Sequence, residues 1–237
     1  MIRQLTKDLQ KLSDPRRSRI HSRFFKTGKG EYGEGDIFLG LKVPQQRQLA
    51  RKYLDLSFRD LQKLLNNKIH EYRLIALIIL TTKYKKTKEK KIKKQIIDFY
   101  LKNTKNINNW DLVDLSAYHL LGDYLLNKDR SILYRLARSE NLWKRRMAIV
   151  STFAFIKQNQ FTDTLKLAEI LLKDKQDLIH KAVGWMLREV GKRNREVEER
   201  FLEKYKKIMP RTMLRYAIEK FEEEKRLMYL KTKCSNS

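Results

Sequence analysis

Hydrophobic positions recur along this chain every three to four residues, and polar breaks cut the pattern into segments of about 10 to 20 residues. Ile2, Leu5, Leu9 and Leu12 predict an amphipathic first helix that stops at Asp14-Pro15, and a second, basic helix follows to near Phe25. From Val43-Pro44 onward the helical period continues almost to the end, with breaks near residues 55–57, 66–69, 85–89, 103–109, 127–130, 139–140, 158–162, 174–177 and 192–195. No stretch alternates like a strand for more than a few residues. The expectation is an all-α chain of helix pairs. It forms one domain over residues 1–230, with N-terminal helices and a Gly-rich loop over 1–42, repeats over 43–230 and a polar tail over 231–237.

The pairs repeat. Aligning HEYRLIALIIL, NWDLVDLSAYHLL, LWKRRMAIVSTF, LIHKAVGWMLREV and RTMLRYAIEKF puts a small residue in one column: Ala76, Ala117, Ala148, Gly184 and Ala217. Successive spacings of 41, 31, 36 and 33 residues match the period of HEAT-like helical hairpins. A small residue at a fixed place in each repeat lets neighbouring helices approach closely. Stacked pairs of this kind predict a superhelical solenoid with one helix of each pair on a concave groove.

Charge then changes the picture. Lys and Arg number 54 against 28 Asp and Glu, a formal net charge of +26, so the groove should be basic and the partner polyanionic, above all nucleic acid. The densest run, Lys83 to Lys94, reads first as a solvated helix face and second as a contact to a nucleic-acid backbone. The single cysteine, Cys234, permits no intramolecular disulfide and points to a reducing, cytoplasmic setting. The N-terminus lacks an apolar signal core, and the most apolar run, Leu74 to Leu80, is too short to cross a bilayer.

With the small-residue column as reference, the chemically interesting residues fall on one helical stripe. Three positions before it stand Arg73, Asp114, Arg145, Lys181 and Leu214; two before it, Arg146 and Arg215. Trp110 lies seven before, Trp185 one after and Arg188 four after, offsets that follow a single face. Each has a plainer reading. A tryptophan at helical spacing is usually core, as expected for Trp143, and Asp114 has a structural reading as the partner of an arginine such as Arg146. Yet a carboxylate in a phosphate-binding groove repels the ligand, a cost that a purely binding surface has no reason to carry.

Other chemistries find little support. His21, His70, His119 and His180 have no ligand spacing, so no metal site is expected, and no nucleophile elbow occurs. The Gly-rich stretch TGKGEYGEGDIFLG lacks the ending of a phosphate-binding P-loop. A structural linker is the favoured reading of it, and a backbone approach to a phosphodiester the sharper one.

In NNWDLVDLSAYHLLGDYL, ENLWKRRMAIV and HKAVGWMLREVGK the chain resembles the HEAT-like repeat DNA glycosylases of the AlkD family, and the likeness extends over about residues 20 to 230. The resemblance implies a C-shaped solenoid that holds duplex DNA and excises positively charged N3- and N7-alkylated purines, as a monomer and without a cofactor. It assigns Asp114 as the catalytic carboxylate, Trp110 and Trp185 as aromatic walls of the lesion site and Arg146 as a contact to the DNA backbone, with Arg188 a weaker transfer. Arg145, Lys181 and Arg73 join the expected DNA-binding set from the basic stripe. The competing expectation is a non-catalytic solenoid that binds damaged or structured nucleic acid.

Overall fold

The computed structural model describes residues 1–231, so Cys234 and the polar tail lie outside the described residues. Among the described residues the regular secondary structure is helical, apart from an isolated bridge between Ile37 and Ile69. It divides into two compact units, Met1–Ser116 and Ala117–Ser237.

In the first unit the helices are α1 (Ile2–Lys11), α2 (Pro15–Phe24), α3 (Val43–Lys52), α4 (Phe58–Leu65), α5 (His70–Lys86), α6 (Lys90–Lys102) and α7 (Trp110–Ala117). Their starts follow the expected chemistry. The Asp14 carboxylate accepts the Arg17 amide at 3.0 Å with Pro15 in the first turn of α2, and Ser57 caps α4 by accepting the Asp60 amide at 3.2 Å. Helix α5 is the centre. Every residue from His70 to Thr81 is buried, with α3, α4 and α6 packed around it.

The Gly-rich loop is more than a linker. The Glu71 carboxylate of α5 accepts the amides of Leu39 at 2.9 Å, Gly40 at 2.8 Å and Leu41 at 3.3 Å, and the Ile37 carbonyl accepts the His70 amide at 2.8 Å. Gly40 has a φ of +86°, and a Cβ there would stand 2.4 Å from the Asp14 carbonyl oxygen, so only glycine lets the loop pass the start of α2. The amides of Gly28 and Gly30 are taken by the Glu31 and Glu34 carboxylates, each at 2.8 Å. Carboxylates on those donors repel a phosphate, which weighs against the phosphodiester reading.

The second unit opens on a π turn (Tyr118–Gly122), followed by α8 (Ser131–Ala137), α9 (Leu142–Ser151), α10 (Phe153–Ile156), α11 (Thr162–Ile170), α12 (Asp177–Gly191), α13 (Arg195–Tyr205), α14 (Arg211–Ala217) and α15 (Glu223–Lys231). Helix α12 is its centre, against α9, α11, α13 and α14. Asn141 and Asn194 cap α9 and α13. The small-residue column is buried at every position, and Gly184 of α12 faces α14 so closely that a Cβ would stand 2.4 Å from the Met213 carbonyl oxygen. Alanine gains about 1 kcal/mol of helix propensity over glycine, but a clash with backbone costs about 1–3 kcal/mol. We therefore expect Gly184→Ala to lower the unfolding free energy in urea, against the propensity scale. Trp143, expected in the core, is buried there.

Candidate functional site

Asn109, Trp110, Asp111 and Asp114 open α7, and their neighbours explain why this helix starts where it does. The buried Asn109 side chain accepts the Trp110 amide at 2.8 Å, and Asp111 accepts the Leu112 amide at 2.8 Å. Trp110 is half-buried. Its ring stacks on Phe25 with centroids 5.2 Å apart and planes 14° apart, and Phe24 meets it edge-to-face at 5.8 Å. Phe25 stacks in turn on Phe38, and Phe38 on His70. One turn further along α7, Asp114 is also half-buried.

Beneath this aromatic ladder lies a buried charge network. His70 of α5 holds Asp36 through Nδ1 at 3.2 Å and Asp111 through Nε2 at 2.8 Å, and Arg73 reaches Asp36 at 2.6 Å. Burial works against charge on the imidazole, but the Asp111 carboxylate, helped by Asp36, outweighs it and pushes the His70 pKa up to about 9. Burial likewise opposes charge on Asp36, yet His70 and Arg73 hold its pKa below the ordinary carboxylate value. An imidazolium donating from both nitrogens thus ties the loop, α5 and the start of α7 together. The helix that carries Trp110 and Asp114 is fixed from below by charge and from the side by Phe25.

The structure places the expected DNA-contacting cations in different surroundings. Arg73 is only 6% exposed and committed to Asp36, because the loop covers the face of α5 that the repeat register had counted as groove. Arg145 of α9 is turned inward as well: Asp174 takes its guanidinium at 2.5 and 3.2 Å, and the Ser139 and Glu140 carbonyls both accept from its Nη1. Arg146 is 5% exposed and donates to the Leu178 carbonyl, tying α9 to the start of α12. Lys181 pairs with Asp177 at 2.7 Å in a partly exposed contact that stabilises little and is easily exchanged for a phosphate. Arg188 pairs with Glu219. Trp185 of α12 is half-buried beside Phe153.

Residues outside the stripe have a stronger claim to exposed charge. Arg16, Arg19 and Arg23 stand exposed on α2, beside Ile20 and Phe24, which are 56% and 63% exposed. The sequence signal was present in the basic second helix; what it lacked was any link to Trp110, which only the Phe24 and Phe25 contacts supply.

The arrangement so far is a helical-repeat protein with a ring and a carboxylate one turn apart on a braced helix. The chain matches the family of DNA alkylation repair enzymes over residues 5–221, and it belongs to that family. Among solved structures it is similar to a predicted DNA alkylation repair enzyme from Enterococcus faecalis, at 16% identity and a TM-score of 0.69, with 89% of this chain and 97% of that one covered. It is also similar to AlkD2 from Streptococcus mutans, at 16% identity and a TM-score of 0.55 over 86% of this chain and 98% of that one. Likeness at these identities speaks for the fold. No curated protein matches the chain significantly. Among the described residues no helix is long and apolar enough to cross a membrane.

Proposed function

We propose that the protein is a monofunctional DNA glycosylase that hydrolyses the N-glycosidic bond of cationic N3- and N7-alkylated purines in duplex DNA. The observation that carries this reading is the start of α7, where Trp110 and, one turn on, Asp114 share one face of a helix braced by the His70 network. Family membership supports it at the coarser level of alkylation repair.

The chemistry suits the residues. Alkylation at N3 or N7 makes the base a cation, so it leaves with the electron pair of the glycosidic bond and needs no strong general acid. Positive charge then develops on the sugar, where the Asp114 carboxylate stabilises it and takes a proton from the water that adds at C1′. The products are an abasic site and a neutral base. Trp110 and Trp185 each offer an indole face to a cation, worth about 0.5–2 kcal/mol. Lys181, the most exposed of the paired stripe cations, is the one whose carboxylate partner is most readily exchanged for a phosphate.

The test is incubation with methylated duplex DNA and detection of free 3-methyladenine and 7-methylguanine, with strands that break only after alkali. Binding of the DNA without release of either base would favour a non-catalytic solenoid. Trp185→Ala should reduce the preference for alkylated over plain duplex by roughly three- to thirty-fold, the range set by one cation–π contact. An equal loss of affinity for both duplexes would make Trp185 a packing residue.

A further inference from the structure

The proposed reaction leaves the lysine run from Lys83 to Lys94 unused. This run forms the corner between α5 and α6, where eight lysines stand beside a single acid, Glu89. Lys86, Lys88, Lys90, Lys91 and Lys93 make no ion pair with any described carboxylate, and Lys83 donates to the Leu56 carbonyl at 2.7 Å, which leaves its charge uncompensated. Their placement works against folding. Helices α4, α7, α11, α12 and α13 each carry an acid in the first turn, whereas the first turn of α6 holds Lys90, Lys91 and Lys93 and no acid. Cations crowded at the positive end of a helix oppose its dipole and repel one another. Salt screens that repulsion in part; a bound polyanion removes it.

The same corner borders a groove of about 410 Å³ with a largely apolar lining. Leu54 from the turn after α3, Phe58 from the start of α4 and Ile92 and Ile96 from α6 line it, with Lys83 and Lys86 from the end of α5 beside them. Phe58 is 37% exposed although its ring lies 5.0 Å from that of Phe99, and Leu54 and Ile92 are half-buried. Asp55 is the one acid among the described lining residues. A DNA backbone answers the lysines but leaves the apolar lining bare, because its phosphates bring nothing to bury there. An extended acidic peptide satisfies both: its carboxylates meet the ammonium groups while an apolar side chain enters the groove. Lysine suits such a rim, since its ammonium is a point charge on a flexible stem that follows carboxylates of variable spacing.

We propose that the groove lined by Leu54, Phe58, Ile92 and Ile96, with its lysine rim at the α5–α6 corner, is a docking site for a segment of a partner protein that carries apolar side chains next to a run of carboxylates. This goes beyond the glycosylase reading and stands independently of it.

The experiment follows the anisotropy of labelled probes titrated with the full chain: an oligo-aspartate peptide ending in Leu-Phe, the same peptide ending in Ser-Ser, and a short plain duplex. Charge alone draws both peptides to so basic a chain, so the first readout is the ratio of their dissociation constants. The Leu-Phe peptide should bind at least about ten-fold more tightly, through burial of its apolar pair. Ile92→Ser and Phe58→Ser should each lower that ratio by about three- to ten-fold. Lys86→Glu should weaken both peptides by about three- to ten-fold and leave the duplex within about two-fold. Lys207→Glu, the same change of charge in the exposed turn after α13, should shift all three probes by less than about two-fold. Asp55→Asn should strengthen both peptides about two-fold by removing the groove's own carboxylate. A ratio near one in the unmodified protein overturns the proposal, as does a ratio indifferent to both serine variants. If those variants fail to fold, the exposed pair Lys86→Glu and Lys207→Glu decides, and equal effects of the two overturn it. Equal loss of duplex and peptide affinity with Lys86→Glu would assign the corner to DNA. Dimers in sedimentation that Lys86→Glu dissociates would assign it to a second copy of the chain. Either result overturns the partner segment.

Discussion

If the proposed reading holds, Asp114→Asn should slow release of an alkylated purine by about two to four orders of magnitude, the range for loss of acid–base and electrostatic help at a single group. The amide keeps the size of the carboxylate on α7, so the substitution changes charge far more than shape. It should leave affinity for duplex DNA intact or improve it, because one negative charge facing phosphates is gone. Single-turnover release measured beside binding separates the two effects. Unchanged release would remove Asp114 from the chemistry, and a parallel loss of binding and thermal stability would make it a structural partner only.

Asp36→Ala produces the second large effect, on stability. It leaves the Arg73 guanidinium, only 6% exposed, and the buried His70 imidazole without one of their carboxylates. Removing one partner from a buried ion pair destabilises by about 3–5 kcal/mol. The substitution also removes one of the loop's anchors to α5, beside those that Glu71 and the His70 amide still supply, so base release should fall along with stability although Asp36 takes no part in the reaction. A loss below about 1 kcal/mol in urea unfolding would mean that water already reaches the network.

The same network sets a pH dependence. His70 titrates at about 9 in the folded chain against an ordinary value of 6.5. Its contribution is therefore complete below pH 6.5 and is lost as pH rises through 9, a decline of roughly 3 kcal/mol. Glu198 acts in the same sense over a lower window. Burial pushes it up to about 8 from 4.5, so the folded state loses stability as pH rises between those values. Stability measured from pH 6 to 10 in a Glu198→Gln background isolates the imidazole, and a flat profile there would contradict the doubly bonded imidazolium.

Much of this was legible in the chain because it depends on local spacing. The Asp14-Pro15 start, the breaks between helices and the column Ala76, Ala117, Ala148, Gly184 and Ala217 all follow from periodicity and capping, and the structure bears them out. Arg73 and Arg145, expected on the basic stripe, are each engaged by a carboxylate for one physical reason. A repeat register fixes which face of a helix a side chain takes but not what covers that face, and here a loop and the Asp174 carboxylate do. His70 looked idle because its partners Asp36 and Asp111 lie 34 and 41 residues away. Asp111 is a first-turn acid of α7, and the same carboxylate also holds His70. The break at Thr152 and the π turn at Tyr118 carry no local mark, since they arise where Gly122 packs on the end of α9.

The central claim is that a carboxylate and ring faces remove a base that is already a cation. Its most direct test is single-turnover release from matched duplexes, one carrying 7-methylguanine and the other the neutral base hypoxanthine. Free 7-methylguanine should appear from the first, leaving an abasic strand intact until alkali, with no release from the second. Release of the neutral base at a comparable rate, or tight binding of the 7-methylguanine duplex with the base still attached, would contradict the account.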